Sequence, residues 1–268
     1  MDDAVILVEK IDRQILVVRL HQPQRLNALT RDMVDMFNAQ LDMIAADSDV
    51  RAVILTGSGR GFCAGQDVAA ADARNREAPS RVVERMYWQE RFAGMVERLH
   101  LMPQIVIAAV NGPCVGAGMA IALASDVRIV SRSAKFMNAS VRLGLTAGET
   151  GMSYMLPRLI GAARAFDILL TGRAVEAEEA ERIGLAIRMV DDAALLPEAT
   201  AYARQILANS PFGIKHTKKI FWQNLDAPSF RAALELENRS QILASMTDDY
   251  KEATAAFTEK RPAAFTGC

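Results

Sequence analysis

Between Asn111 and Asp126 the chain reads NGPCVGAGMAIALASD: three glycines and a proline, then small apolar residues, with no carboxylate, His, Lys or Arg before Asp126. Chemistry in such a stretch has to come from the backbone. The amino end of a helix exposes unpaired N–H groups and a partial positive charge, and small residues let an oxygen approach them closely. Gly61 to Asp67, GFCAGQD, is a second turn of the same kind. One N–H from each could converge on a single oxygen that gathers negative charge, and losing one such donor typically costs about 3 to 4 kcal/mol of transition-state stabilisation. Composition alone leaves a plainer alternative open, in which both are tight loops with no ligand, because glycines often mark such loops.

Side-chain chemistry finds less support. Gly116-Ala117-Gly118 after an apolar run invites a dinucleotide-binding reading, but the last glycine of that fingerprint falls on Ile121. The acid it needs about twenty residues on is replaced by Phe136, and the next carboxylate is Glu149. His21, His100 and His216 are scattered, so neither a zinc set nor a Ser-His-Asp arrangement is suggested, and surface or packing roles are expected. No metal site is expected. Asp67 reads as a turn or cap carboxylate, and Asp126 as a helix-end residue bonding nearby backbone.

The elements that must position these turns come from hydrophobic periodicity. Val5–Glu9 and Ile15–Leu20 predict a hairpin. Thr30 then caps a helix reaching about Ala46, with Met33, Phe37, Leu41 and Ile44 at helical spacing. Ala52–Thr56 and Ile105–Val110 are buried-strand runs, each delivering the chain into a glycine-bearing turn, and the second leads to a helix over Ala117–Ala124 and a strand over Val127–Ser131. Strand, turn and helix in succession predict a layered α/β core. Val68–Arg98 reads as a helical or mobile flap. From Ala193 the chain is expected to be helical: Ala193–Ala208, a helix opened by Ser210-Pro211, then Phe230–Ser245 and Asp248–Glu259.

The totals bound the function class. The 268 residues suffice for one large domain with a real core. With 31 Lys and Arg against 32 Asp and Glu, nothing suggests an electrostatic footprint for nucleic acid or an anionic membrane. Cys63, Cys114 and Cys268 form no CxxC pair, and their odd number argues against a disulfide framework and fits a reducing cytoplasm. The Met1-Asp2-Asp3 start lacks a basic region with a cleavage site, and no apolar run approaches a membrane span, so a soluble, uncleaved, cytoplasmic chain is expected.

Eight motifs in order carry a resemblance: PQRLNALT from Pro23, GFCAGQD, IAAVNGPCVGAGMAIALASDVRI, AKFMNAS, LGLTAGETGMSYMLPRLIG, LLTGR, EAERIGL and the closing FTEKRPAAF. Together, from about Val5 to Phe265, they resemble the enoyl-CoA hydratase/isomerase family, the crotonases. The resemblance implies a core of repeated ββα units wound into a superhelix over residues 1–192, and a helical C-terminal region over 193–268 that mediates homotrimers, often paired as a dimer of trimers. It implies an acyl-CoA thioester substrate, with coenzyme A part of the substrate and no separate cofactor. The family's two oxyanion-hole amides fall on Gln66 and Ala117. Its adenine pocket maps to backbone around Ala64, with Arg25 near the nucleotide phosphates. Phe257 and Lys260 match residues that reach coenzyme A from the C-terminal helices, although Lys260 is equally one of three charges on a solvated face.

The chain departs from the hydratase pattern. The two glutamates that hold a water and shuttle its protons in the typical hydratase fall on Ala120 and Ser140. Glu149 is the remaining carboxylate, at a position where relatives with other reactions carry an acid at or near it, and where loop becomes helix beside Met152 and Met155. Its plainer role is a helix-end charge contributing some 0.3 to 1 kcal/mol. Ser140 could donate a hydrogen bond to water or substrate, but is expected rather to fill the space a glutamate vacated. A double-bond shift needs one base, so isomerisation is favoured, with hydration through Glu149 or acyl-CoA binding without turnover as alternatives. Met119, Met137 and Met152 are candidates to line an acyl pocket or simply to fill the core.

Overall fold

The apolar runs assemble side by side. In the computed structural model, which describes residues 4–68 and 81–268, β1 (Ile6–Lys10) and β2 (Ile15–Leu20) form the expected hairpin, antiparallel with Ile6 opposite Leu20. β2 pairs parallel with β3 (Ala52–Gly57), and β3 with β4 (Ile105–Val110), in a register that aligns Ile15, Ala52 and Ile105. The chain then leaves for β5 (Pro113–Val115) and returns as β6 (Val127–Ser131) beside β4. β7 (Lys135–Met137) and β8 (Ala174–Glu176) join β5 in a small second sheet of order β5-β7-β8. β9 (Arg188–Val190) completes a main sheet of order β1-β2-β3-β4-β6-β9.

Side-chain alternation along these strands makes two cores. Leu16, Val18, Leu20, Val53 and Leu55 face one way, against α1 (Arg31–Ala46), α2 (Val82–Leu101), α3 (Ala117–Ala124) and α4 (Met152–Ile160). α5 (Ala162–Thr171) and α6 (Ala177–Arg182) close that layer. Ile15, Val17, Ala52 and Ile54 face the other way, against Leu195, Ala199 and Ala203 of α7 (Leu195–Leu207). A fully buried side chain such as Phe37 contributes about 1.5 to 3 kcal/mol by leaving water. α1 starts at its predicted cap: Thr30 Oγ1 accepts from Met33 N at 3.2 Å, a contact worth about 1 kcal/mol.

Within the expected flap, residues 69–80 lie outside the described residues, while α2 has its second half in the core through Phe92, Met95, Val96 and Leu99. Beyond α7 come α8 (Pro211–Leu225), α9 (Phe230–Ser245) and α10 (Asp248–Glu259). Ser210 caps α8 by accepting from Gly213 N at 3.3 Å. No residue of α8 or α9 is buried as a whole, yet α8 is anchored through the buried side chain of Lys218, whose Nζ donates to Gln104 O at 2.7 Å and Asp126 Oδ2 at 2.8 Å. Burial pulls that ammonium's pKa down against the pull of Asp126. Removing one partner of such a buried pair costs roughly 3 to 5 kcal/mol, because the other charge is left uncompensated. Asp126 thus bonds both nearby backbone, at Val106 N, and a distant helix. Among the described residues no helix is long and apolar enough to cross a membrane.

Candidate active site

Both glycine turns lie where parallel strands end, and they are fastened together. After β3 the first turn is gripped by two asparagines. Asn27 is fully buried, and its Nδ2 donates to Gly61 O at 2.8 Å and Ser58 O at 3.0 Å. Asn111, directly after β4, donates to Gly59 O at 2.9 Å and Gly57 O at 3.0 Å and accepts from Gly57 N at 3.1 Å. The second turn joins the first through an isolated bridge between Cys63 and Cys114, with Cys63 N donating to Pro113 O at 3.1 Å and Val115 N to Cys63 O at 2.8 Å. Both thiols are buried, which pushes Cys63 up to about 12 and makes it a packing group rather than a nucleophile. Gly118 has room for no side chain: a Cβ there would stand 2.3 Å from Cys63 O.

Peptide planarity sets where two N–H groups point. Gly65, at φ +85°, directs its carbonyl to Leu29 N at 2.7 Å, and Leu29 O accepts from Asp67 N at 3.1 Å. The N–H of Gln66 belongs to the Gly65 peptide and, in a trans unit, points away from Leu29. Likewise Gly116 O accepts from Ala120 N at 3.0 Å, along α3, so the Ala117 N–H points out of the helix end. The two groups are neighbours: a Cβ on Gly65 would lie 3.5 Å from Ala117 N. At its other end α3 meets a buried cation. Arg128 donates to Ser125 O and Leu185 O, each at 2.7 Å, and complements the helix's negative pole, while burial brings its pKa down to about 10.

The remaining predicted residues fall in two groups. Arg25 and Ala64 lie with the first turn: Arg25 pairs with Asp67, and Ala64 N donates to Leu26 O at 2.9 Å. Phe257 and Lys260 lie at the end of α10, Phe257 strongly exposed and Lys260 closing the helix in the left-handed region, while Arg261 makes the ion pairs with Glu252 and Glu259. The histidines are apart, each with a local partner: Ser58 for His21, Trp222 for His100 and Phe212 for His216. No group of side chains able to hold a metal occurs among the described residues.

Glu149 is half-buried on the loop before α4, which packs against α3, the helix that begins at Ala117. Ser140 is more than a filler of vacated space. Its Oγ donates to Glu149 Oε1 at 2.8 Å, an interaction invisible in sequence because it depends on how two loops fold over each other. Asn138, fully buried, accepts from Ser140 N at 2.9 Å and donates to Ala147 O at 3.3 Å and Met152 Sδ at 3.2 Å. Beside Glu149, Thr150 sits at φ +51° and its buried hydroxyl has no partner among the described residues. Non-glycine residues held in this region concentrate at functional sites. Ala120 is buried in α3, and Met152 and Met155 wall the core side of α4.

A family model described as enoyl-CoA hydratase/isomerase matches residues 10–268. The chain belongs to that family. It is 42% identical over 268 residues to "Probable enoyl-CoA hydratase EchA12" of Mycobacterium tuberculosis, covering 98% of this chain and 93% of that one. It is 35% identical to the 1,2-epoxyphenylacetyl-CoA isomerase of Escherichia coli, covering 97% and 98%. A solved structure of a probable enoyl-CoA hydratase/isomerase from Mycobacterium abscessus superposes with a TM-score of 0.90 at 42% identity, over 98% of this chain and 99% of that one. A monofunctional enoyl-CoA isomerase from M. smegmatis gives 0.73 at 39% identity, over 86% and 98%. The architecture is therefore the crotonase fold, and the enoyl-CoA hydratase/isomerase family places the chain among enzymes of the lyase or isomerase kind.

Proposed function

We propose that this member of the enoyl-CoA hydratase/isomerase family moves a double bond in an acyl-CoA thioester. Gln66 and Ala117 donate their main-chain N–H groups to the thioester oxygen, and Glu149 carries the proton. Starting from a 3-enoyl-CoA, Glu149 removes a proton from the α-carbon. The C–H electron pair becomes a C=C bond to the thioester carbon, and the carbonyl oxygen takes up negative charge between the two amides. Collapse of this dienolate forms the 2,3 double bond while Glu149 returns a proton to the γ-carbon. Electrostatic stabilisation of that oxygen is the largest contribution available to such a site.

The observation that carries the reading is the pairing of two outward N–H groups from adjoining turns with a single carboxylate on the neighbouring helix entrance. Hydration wants both a base for water and an acid for the α-carbon. Ala120 offers no polar group, and the Ser140 hydroxyl is directed at Glu149. In this reading coenzyme A enters as part of the substrate, with no separate cofactor. Arg25 and the backbone at Ala64 hold its nucleotide end, and Phe257 and Lys260 approach it from α10. The exposed apolar residues of α8 and α9 serve self-association into trimers or dimers of trimers, in a cytoplasmic enzyme.

The test is incubation with 2-enoyl- and 3-enoyl-CoA in heavy water, following deuterium at the α- and γ-carbons and water addition separately. Wild type should exchange and isomerise, and Glu149→Gln should lose exchange by a factor of about 100 or more, within the range contributed by general bases. Full exchange in Glu149→Gln would remove the base assignment. Water addition outpacing isomerisation would favour the hydratase reading suggested by the mycobacterial relatives' names. Tight binding with neither reaction would make the protein a binder.

A further inference from the structure

We propose that Ser140 is a positioning residue for Glu149, held by Asn138, and that together they tie the carboxylate to the turn bearing the Ala117 amide. The proposal rests on the reading of Glu149 as the proton carrier. Ser140 has one proton to donate and directs it to Glu149 Oε1 at 2.8 Å. Oε2 is then the oxygen left to exchange a proton with substrate. Ser140 acts through Glu149 and touches no reacting atom in this role.

The tie is short in space although its members are far apart in sequence. Gly116 N donates to Met137 O at 2.8 Å, and Val115 stands opposite Met137 in the β5–β7 register. The next residue, Asn138, binds Ser140 N through its carbonyl oxygen and reaches Ala147 O and Met152 Sδ through its amide nitrogen. One buried asparagine therefore holds both ends of the loop that carries Glu149, while its neighbour holds the turn before Ala117. A glutamate side chain has considerable rotamer freedom, and a directed donor on one oxygen removes much of it before substrate arrives. Misplacing a reacting group by about 1 Å can cost on the order of 100-fold in rate, so this restraint is large enough to matter.

The experiment measures two quantities for wild type, Ser140→Ala, Ser140→Thr and Glu149→Gln: deuterium exchange into a 3-enoyl-CoA, and calorimetric affinity for a saturated acyl-CoA. Ser140→Ala should slow exchange about 10- to 100-fold while affinity stays within about twofold, since a residue acting on the reaction alone changes turnover and not ground-state binding. Ser140→Thr retains the hydroxyl and should exchange within about threefold of wild type, the context-dependence of a kept hydrogen bond. Ser140→Ala exchanging at the wild-type rate overturns the proposal, as does a loss of affinity that accounts for the slower exchange. Ser140→Thr as slow as Ser140→Ala with wild-type affinity also overturns it. Should the added methyl abolish binding, Ser140→Ala decides alone. If Glu149→Gln exchanges normally, or wild type does not exchange, the underlying reading fails and this proposal with it. If Glu149→Gln is silent and Ser140→Ala is fast, only the positioning role fails.

Discussion

Gly65 carries a constraint that its lack of a side chain makes easy to overlook. At φ +85° an L side chain is strained by about 1 to 3 kcal/mol, and here its Cβ would also meet Val115 O at 2.8 Å. Relieving either strain has to shift the backbone at residue 65, and with it the peptide that carries the Gln66 N–H. Gly65→Ala should therefore keep its circular dichroism while deuterium exchange into a 3-enoyl-CoA falls by about 100- to 1,000-fold, the usual loss for one oxyanion donor. Unchanged exchange would mean that this peptide contributes nothing to holding the oxygen. The positions of Gln66 and Ala117 in glycine turns were legible in the sequence, as was Glu149 at a loop-to-helix boundary. The clamps were not. Asn27 bonds Gly61 and Asn111 bonds Gly57, partners separated by 34 and 54 residues, and no local pattern announces such contacts. The bond from Ser140 to Glu149 was hidden too, because it depends on how two loops fold over each other.

At the scale of elements, helices with caps and long apolar stripes were the readable ones. Thr30 three residues before Met33, and Ser210 before Pro211, mark helix starts by chemistry that acts within one turn. β5, β7, β8 and β9 have three residues each, too few for any periodicity, and their pairing depends on strands elsewhere. α10 shows how such distant contacts set pH dependence. Its Asp249 is buried, which would raise its pKa. The amides of Thr266 and Gly267, with the Ser210 and Thr266 hydroxyls, outweigh burial and hold it below the ordinary value of 3.8. A carboxyl lowered on folding contributes stability that is complete above its unfolded pKa and disappears as pH falls through the folded one. Asp249→Asn should thus lower the melting temperature at neutral pH, and the gap to wild type should narrow as pH is taken from about 5 to below 3. A gap constant across that window would show that the carboxylate's charge is not what holds the C-terminal tail.

The whole molecule has an uneven surface. Phe221, Leu225, Phe230, Leu234, Ile242 and Leu243 are all exposed along α8 and α9, while the net charge is only −1. Apolar side chains exposed together on two helices are suited to self-association, and a nearly neutral chain has little long-range repulsion to keep copies apart. Sedimentation equilibrium at micromolar concentration should find a trimer or a dimer of trimers, and the double variant Ile242→Arg, Leu243→Arg should shift it to smaller species. A wild-type chain that sediments as a monomer would rule out this use of the two helices.

The outward amides of residues 66 and 117 have an implication for how such a protein diverges. Every amino acid except proline brings the same N–H to its position, so substituting the residue that owns the group leaves the group in place. Gln66 is exposed, and its side chain is free to drift without altering the peptide before it. On the proposed reading, substitution is restricted instead at the neighbours that aim the peptide planes, namely Gly65, Gly116 and Gly118 with the two asparagines behind them. On the proposed reading, scanning with alanine would pass over the two amides at the thioester oxygen and register Glu149 and the residues that aim those amides.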